Sequence, residues 1–270
     1  MREKRGGEYP MGERPIRLVD MHCHLDFGED PQALAADLQR LGIGCLSATV
    51  TPDAYAGAAS TLAPYDNVRV GLGMHPWWVA EGLPGDALLK RFEQLVSETR
   101  FIAEGGLDFG ERHAKTREVQ VVAFSRLAAA CARQGGKIVS LHAVRAATEV
   151  MDVLEESGAL ACSSANACIF HWFSGTHAEL QRAVEAGFFF SVNPRMLETK
   201  RGRSYAQAIP LKRLLLETDE PAIPGAPFDA LAVERKLTAM LSQLAALRRV
   251  SYDELEERIV ATSADLLSFA

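Results

Sequence analysis

No apolar stretch in the 270-residue chain reaches the roughly 20 residues that a bilayer crossing needs, so no membrane-spanning helix is expected. Basic charge is not in excess either, since 29 lysines and arginines against 35 acidic residues leave a net charge of -6. That balance excludes a broad basic surface that neutralises many phosphates of a long duplex. A nucleic acid would have to be held locally, with bound cations supplying the positive charge that the side chains lack. The five cysteines (Cys23, Cys45, Cys131, Cys162 and Cys168) are odd in number, have no CxxC spacing and follow no signal-peptide run. A reducing, cytoplasmic setting is expected rather than a disulfide framework. No Pro/Gly/Ser-rich linker or shift in composition divides the chain, so one domain over 15–270 is expected, preceded by a frayed tail, MREKRGGEYPMGER, over 1–14.

What the chain does have is alternation. Short runs rich in branched apolar residues recur, each followed by a longer amphipathic stretch, which is the signature of repeated β/α units. Strands are predicted over Ile16–Met21, Ile43–Val50, Val68–Met74, Phe101–Glu104, Lys137–His142, Ala167–Trp172, Phe188–Val192 and Leu214–Thr218. Helical patterns fall between them over Pro31–Leu41, Ala87–Thr99, Arg117–Gln134, Ala146–Ser157 and Thr176–Ala186, with Thr176 as N-cap and Gly187 as stop. After a Pro-rich loop, PAIPGAPF, two more helices are predicted over Asp229–Leu247 and Tyr252–Phe269, the second opened by a Ser251/Glu254 capping box. Eight strands alternating with helices point to a closed (β/α)8 TIM barrel; an open doubly wound sheet is the alternative that periodicity leaves.

The placement of ionisable residues favours the barrel, because the C-terminal strand ends of that fold converge on one mouth. His22 and His24 follow the first strand as HCH, Glu104 ends the fourth, His142 the fifth, His171 the sixth, and Asp219 follows the eighth. On an extended segment residues i and i+2 point to the same side, so His22 and His24 can clasp one ion while Cys23 points away. A carboxylate such as Glu104 can place one oxygen on each of two ions. Any one of these residues taken alone would be read as a hydrogen-bonded structural group, but six at one rim make a ligand set for two divalent cations, Mg2+, Mn2+ or Zn2+.

The motifs VDMHCHLD, GLGMHP, AEGGLDF, the LHA of the fifth strand, FHWFSG and LETDEP together resemble the signatures of the TatD family of metal-dependent deoxyribonucleases, from about Leu18 to the C-terminus. The resemblance implies a (β/α)8 barrel of the amidohydrolase superfamily, two divalent ions, and 3′ to 5′ exonuclease or related phosphodiesterase activity on single-stranded or frayed DNA ends. It also implies that His22, His24 and Asp219 bind one ion and His142 and His171 the other, with Glu104 bridging. Asp219 would double as the general base, and His75 would face the substrate phosphate. Asp108 would support a ligand histidine or cap its loop, and Glu217 is read as structural. The outer positions depart from the family: His142-Ala143-Val144-Arg145 stands where relatives read His-x-Arg-Asp, AIPGAPFDAL replaces the loop after LETDEP, and Thr262 and Ser263 stand where the C-terminal helix signature carries Asn. HWFSG and SVNP resemble a divergent subgroup encoded in bacterial anti-phage gene clusters of the Qat type, which implies a role in defence with the other proteins of such a cluster as partners.

Around the mouth, Trp77, Trp78 and Trp172 offer aromatic surface for base stacking, although one of the adjacent pair is expected to pack against neighbouring loops instead. Arg145 and Arg195 are the expected phosphate contacts, whereas Lys200, Arg201 and Arg203 read as a solvated cluster. Two other functions stay open at this point: hydrolysis of a small C–N or lactone substrate by the same metals, and a non-catalytic metal-binding subunit.

Overall fold

Each branched-apolar run forms a strand, and the eight strands lie parallel in sequence order, β1-β2-β3-β4-β5-β6-β7-β8. They are β1 (Leu18–Cys23), β2 (Ile43–Ala48), β3 (Val68–Met74), β4 (Phe101–Asp108), β5 (Ile138–Val144), β6 (Ala167–His171), β7 (Phe189–Val192) and β8 (Leu214–Leu216). This computed structural model describes residues 15–80 and 85–269, so the tail expected over 1–14 lies outside the described residues. Eight parallel strands with helices between them make the nearly closed (β/α)8 barrel, and the open doubly wound alternative is excluded by the strand order. Among the described residues no helix is long and apolar enough to cross a membrane.

The barrel interior is filled by Val19, Met21, Leu46, Ala48, Ala103, Ile169 and Leu215, all essentially inaccessible. The larger cluster lies between sheet and helices and includes Phe92, Phe124, Phe170 and Leu127. The predicted helices appear as α1 (Pro31–Arg40), α4 (Gly85–Leu95), α5 (Arg117–Gln134), α6 (Ala147–Glu156), α7 (His177–Glu185), α10 (Ala230–Arg248) and α11 (Tyr252–Leu267). Four more had not been anticipated: α2 (Pro52–Leu62), α3 (Pro76–Ala80), α8 (Pro194–Glu198) and α9 (Lys200–Ala208). Three of them carry a start signal, because the side chains of Thr51, Asn193 and Thr199 cap the first turns of α2, α8 and α9. Ser251 caps α11 through the Glu254 N–H, but the reciprocal capping box forms at Thr176 and Glu179.

Several predicted strand ends move: β1 runs on through His22 to Cys23, β5 runs past His142 to Val144, and β8 stops at Leu216. Glu104 does not end β4; the strand continues to Asp108, and its register with β5 shifts between Ile102 and Gly105. The Gly105-Gly106 pair is not a break, because glycine here permits close approach: a Cβ on Gly106, at φ +142°, would lie 2.0 Å from the His142 carbonyl oxygen. Across β3, a Cβ on Gly73 would lie 1.7 Å from the Thr49 oxygen. With none there, Thr49 reaches past β3 to β4, donating its N–H to the Ala103 carbonyl and accepting the N–H of Glu104, both at 2.9 Å. Glu104 is thus pinned from two strands away.

The seam between β8 and β1 closes just beyond the short β8. Thr218 donates its N–H and its hydroxyl to the Asp20 carboxylate, Asp219 donates its N–H to the His22 carbonyl at 2.8 Å, and His24 donates its N–H to the Glu220 carbonyl at 2.8 Å. Barrel closure and the placement of His22, His24 and Asp219 are one set of bonds.

Candidate metal centre and its mouth

Five of the seven histidines in the chain, His22, His24, His75, His142 and His171, gather with Glu104 at the C-terminal end of the barrel. Glu104 is 3% exposed and divides its oxygens between two sets of rings. Its Oε1 lies 2.7 Å from His142 Nδ1, 2.7 Å from His171 Nε2 and 3.4 Å from His75 Nε2. Its Oε2 lies 3.4 Å from His22 Nε2 and 3.9 Å from His24 Nε2. Asp219, in the left-handed region at φ +57°, brings Oδ1 to 3.3 Å from His24 Nε2 and 3.8 Å from His22 Nε2. Among the described residues three overlapping groups have the spacing to hold an ion: His22-His24-Asp219, His22-Glu104-His171 and His75-Glu104-His142.

The proton positions favour cations. His24 Nδ1 is 2.9 Å from the Ala48 carbonyl, which only accepts, so Nδ1 carries the proton and Nε2 turns a lone pair toward Asp219. A lone pair facing a carboxylate requires a cation between them, either a proton or a metal ion. His22 places Nδ1 2.7 Å from the Ser140 hydroxyl and leaves Nε2 buried with no hydrogen-bond partner, as expected of a ligand nitrogen. Behind His171, the buried Glu217 puts Oε1 3.6 Å from Nδ1 while accepting the Ser191 hydroxyl and an Asn193 amide N–H. Behind His142, Asp108 places Oδ2 3.3 Å from Nε2 and accepts the Trp77 indole N–H at 2.6 Å.

Electrostatics follow from this packing. Burial alone would raise the Glu104 carboxyl, but the facing His75 and His171 rings and the bonds from His142 and His171 hold it well below the usual carboxylate range. Burial opposes protonation of His24 and His171, yet the carboxylates Asp219 and Glu104 around the first and Glu104 and Glu217 around the second raise both. His22 and His75 go the other way: burial lowers both, His75 to about 4 despite Glu104. The His75 Nδ1 accepts the Trp77 backbone N–H at 3.2 Å, so the neutral ring carries its proton on Nε2 as a donor aimed into the site.

The cluster forms the floor of a cavity of about 460 Å³ whose walls include Phe27, Val50, Trp77, Trp78, Val144 and Trp172. Contrary to expectation, Trp77 and Trp78 both line it, with ring planes 15° apart. They sit on the short helix α3, where successive side chains are about 100° apart rather than on opposite faces. One face of Trp77 stacks on His113 at 5.0 Å, yet at 39% exposure it is the most open of the three rings, Trp78 and Trp172 being half-buried. Of the expected phosphate contacts, Arg195 lies over the Trp172 ring at 5.2 Å. Arg145 is exposed, 3.7 Å from Glu111, and is not among the residues lining the cavity. Arg201 and Arg203 donate to the Ser174 and Leu197 carbonyls.

Sequence reasoning passes over Ser140 and the Ala48 carbonyl, and it reads Glu217 as structural, whereas the three stand directly behind the rings of His22, His24 and His171. The spacing of Glu217 two residues before Asp219 carried a signal, since both lie on one stretch leading into the site; Ser140 and Ala48 carried none.

Residues 19–268 match the family model of TatD-related DNases. Human deoxyribonuclease TATDN3 is 27% identical over 228 residues, covering 77% of this chain and 79% of that protein. The uncharacterized metal-dependent hydrolase TatD of Mycobacterium tuberculosis is 30% identical over 237 residues, covering 80% and 84%. The crystal structure of YJJV, a TatD homologue from Escherichia coli K12, superposes with a TM-score of 0.79 at 22% identity, over 94% of this chain and 99% of that one.

Proposed function

The chain belongs to the TatD-related DNase family, and from that premise we propose that it hydrolyses phosphodiester bonds of DNA at strand ends with two divalent metal ions. The observation that carries this reading is Glu104, whose two carboxylate oxygens face separate histidine sets. The buried unpartnered Nε2 of His22 and the lone pair of His24 aimed at Asp219 support cation binding by the same residues.

In this reading His22, His24 and Asp219 would hold one ion and His142 and His171 the other, with Glu104 shared between the two sets. Ions held there supply Lewis acidity, lowering the pKa of a water and offsetting the charge of the phosphate. Asp219 is the least buried ligand, with a side chain 20% exposed toward the cavity, and it orients the attacking water and takes its proton. His75, kept neutral by burial, donates its Nε2–H to a phosphate oxygen. Trp172, with Trp78, provides ring surface for the terminal base. A walled cavity of about 460 Å³ favours an end over the interior of a duplex. The family resemblance supports 3′ to 5′ polarity, and the likeness of HWFSG and SVNP to the Qat-type subgroup supports a place in anti-phage defence. Five free cysteines fit a reducing cytoplasm.

The test is a panel: protein with Mg2+, Mn2+ or Zn2+ is offered 3′-labelled single-stranded DNA, duplex, RNA and a set of amides, beside Asp219→Asn. Release of 3′ mononucleotides that disappears in the variant is the expected result. Turnover of amides alone would overturn it, and metal binding without turnover would make the chain a non-catalytic subunit.

A further inference from the structure

A second cavity, of about 240 Å³, adjoins the first and shares Trp172, Asp219 and Ala222 with it. The two differ in their cations. Among the described residues no lysine or arginine lines the main cavity, whereas Arg195 and Lys236 line the second, beside the carboxylates of Glu198, Asp219 and Glu220. Lys236 is committed to an ion pair with Glu220. Arg195 is not: among the described residues no carboxylate pairs with its guanidinium, which rests over the Trp172 ring 5.2 Å from the centroid. Its backbone N–H is held at 3.0 Å by the Asn193 side chain, which is itself fixed by Glu217 and the Thr218 carbonyl. The base of Arg195 is therefore tied to the stretch after β8 that leads to Asp219, while its charged end stays available.

An exposed arginine without a partner carboxylate, its Cζ 5.2 Å from the centroid of an indole beside a centre proposed to attack phosphodiesters, has the form of a phosphate receptor. The planar fork offers two parallel N–H donors, and stacking on the ring removes much of the entropy cost of holding it in place. We propose that the second cavity is a subsite for the phosphate next to the one cleaved, with Arg195 as its anion receptor and Trp172 as the wall between the two nucleotides. This rests on the phosphodiesterase reading above and deepens it: the substrate is an oligonucleotide of at least two consecutive phosphates, recognised through charge at the second and not by base identity. The chain thus confines its cationic recognition to one linkage, which agrees with its net charge of -6.

The experiment compares Arg195→Gln and Arg195→Lys with the parent, all loaded with Mn2+, on three substrates. These are bis(4-nitrophenyl) phosphate, which has no neighbouring phosphate; the trinucleotide dTdTdT; and the same trinucleotide with an uncharged methylphosphonate at the linkage next to the scissile one. Arg195→Gln should raise KM for dTdTdT by about 10- to 100-fold with little change in kcat, the range expected for loss of a charge-assisted bidentate contact. It should leave bis(4-nitrophenyl) phosphate within about twofold. The methylphosphonate should cost the parent enzyme as much as the substitution does and cost Arg195→Gln nothing further, and Arg195→Lys should recover part of the loss. Equal losses on all three substrates, or none on dTdTdT, would overturn the subsite. If no phosphodiester is cleaved, the catalytic reading is what fails, and titration of the two trinucleotides into the Ca2+-loaded proteins still decides the subsite. A preference for the charged trinucleotide that depends on Arg195 supports it, and equal binding overturns it.

Discussion

The Nδ1 nitrogen of His22 lies 2.7 Å from the Ser140 hydroxyl, on the opposite side of the ring from the Nε2 that faces Glu104 and Asp219. One serine on β5 thus sets which nitrogen of a β1 histidine is free to bind. Ser140→Ala removes that orientation at a fully buried position without adding volume. Loss of such an outer partner lowers metal affinity by about 10- to 100-fold. Calorimetric titration with Zn2+ is the check; an unchanged affinity would mean that the barrel wall alone orients the ring.

Glu104→Gln tests the bridge. The amide keeps the size of the side chain but loses the charge that both histidine sets face, so the protein should retain at most one ion in place of two. Turnover of any phosphodiester it cleaves should fall by about 10³-fold or more. Elemental analysis of the dialysed protein reads the first effect directly. A variant that keeps both ions contradicts the bridging role.

The acid limb of stability carries a signature of Asp108. Burial pushes its carboxyl up, but hydrogen bonds from His142 and the Trp77 indole outweigh that and bring it down to about 2. The folded value lies below the ordinary 3.8, so this contribution is present above pH 3.8 and is lost as the pH falls through about 2. Trp77→Phe deletes one donor and raises the folded value toward 3.8, which shrinks the contribution. Urea unfolding of the metal-free protein between pH 5 and 2.5 should show a smaller loss across the window for the variant than for the parent. Parallel curves would remove the indole bond as the cause.

Much of this centre was legible in the sequence, and what was not has a physical reason. His22 and His24 announce themselves because i, i+2 spacing on a strand has one geometric outcome. His142, His171 and Asp219 announce themselves because parallel strands deliver their C-terminal ends to one mouth. Glu104 ends the strand that the sequence predicts, whereas the close packing of Gly106 against the His142 carbonyl lets β4 run on to Asp108. Ser140 and Ala48 could not be found, since a hydroxyl or carbonyl becomes a partner only once the fold sets it against a ring far away in the chain. That one of Trp77 and Trp78 would turn away from the mouth does not hold, because both sit on a short helix rather than on a strand.

Thiol chemistry offers a separate check on the packing. Cys23, Cys45, Cys131 and Cys168 are buried, and burial pushes the Cys131 thiol up to about 12, whereas Cys162 is exposed in the segment before β6. Iodoacetamide should therefore add one carbamidomethyl group to the native protein, at Cys162, and five after denaturation. A second rapidly labelled cysteine in the native state would show that a barrel face is open.

Stability and site geometry meet at the seam between β8 and β1. Thr218 donates its hydroxyl to Asp20 Oδ2 at 2.5 Å and its N–H to Asp20 Oδ1 at 3.0 Å, and the next residue, Asp219, hangs from the His22 carbonyl. Thr218→Val preserves shape and the backbone bond but leaves a buried carboxylate oxygen without its hydroxyl partner. That loss costs about 1–3 kcal/mol. Because the same residues position Asp219 against His24, metal affinity should fall together with the unfolding free energy. Thr218→Ser keeps the donor and should preserve the metal affinity. If Thr218→Val weakened folding but left metal affinity untouched, closure of the barrel and assembly of the centre would be separable, and the seam would be structural alone.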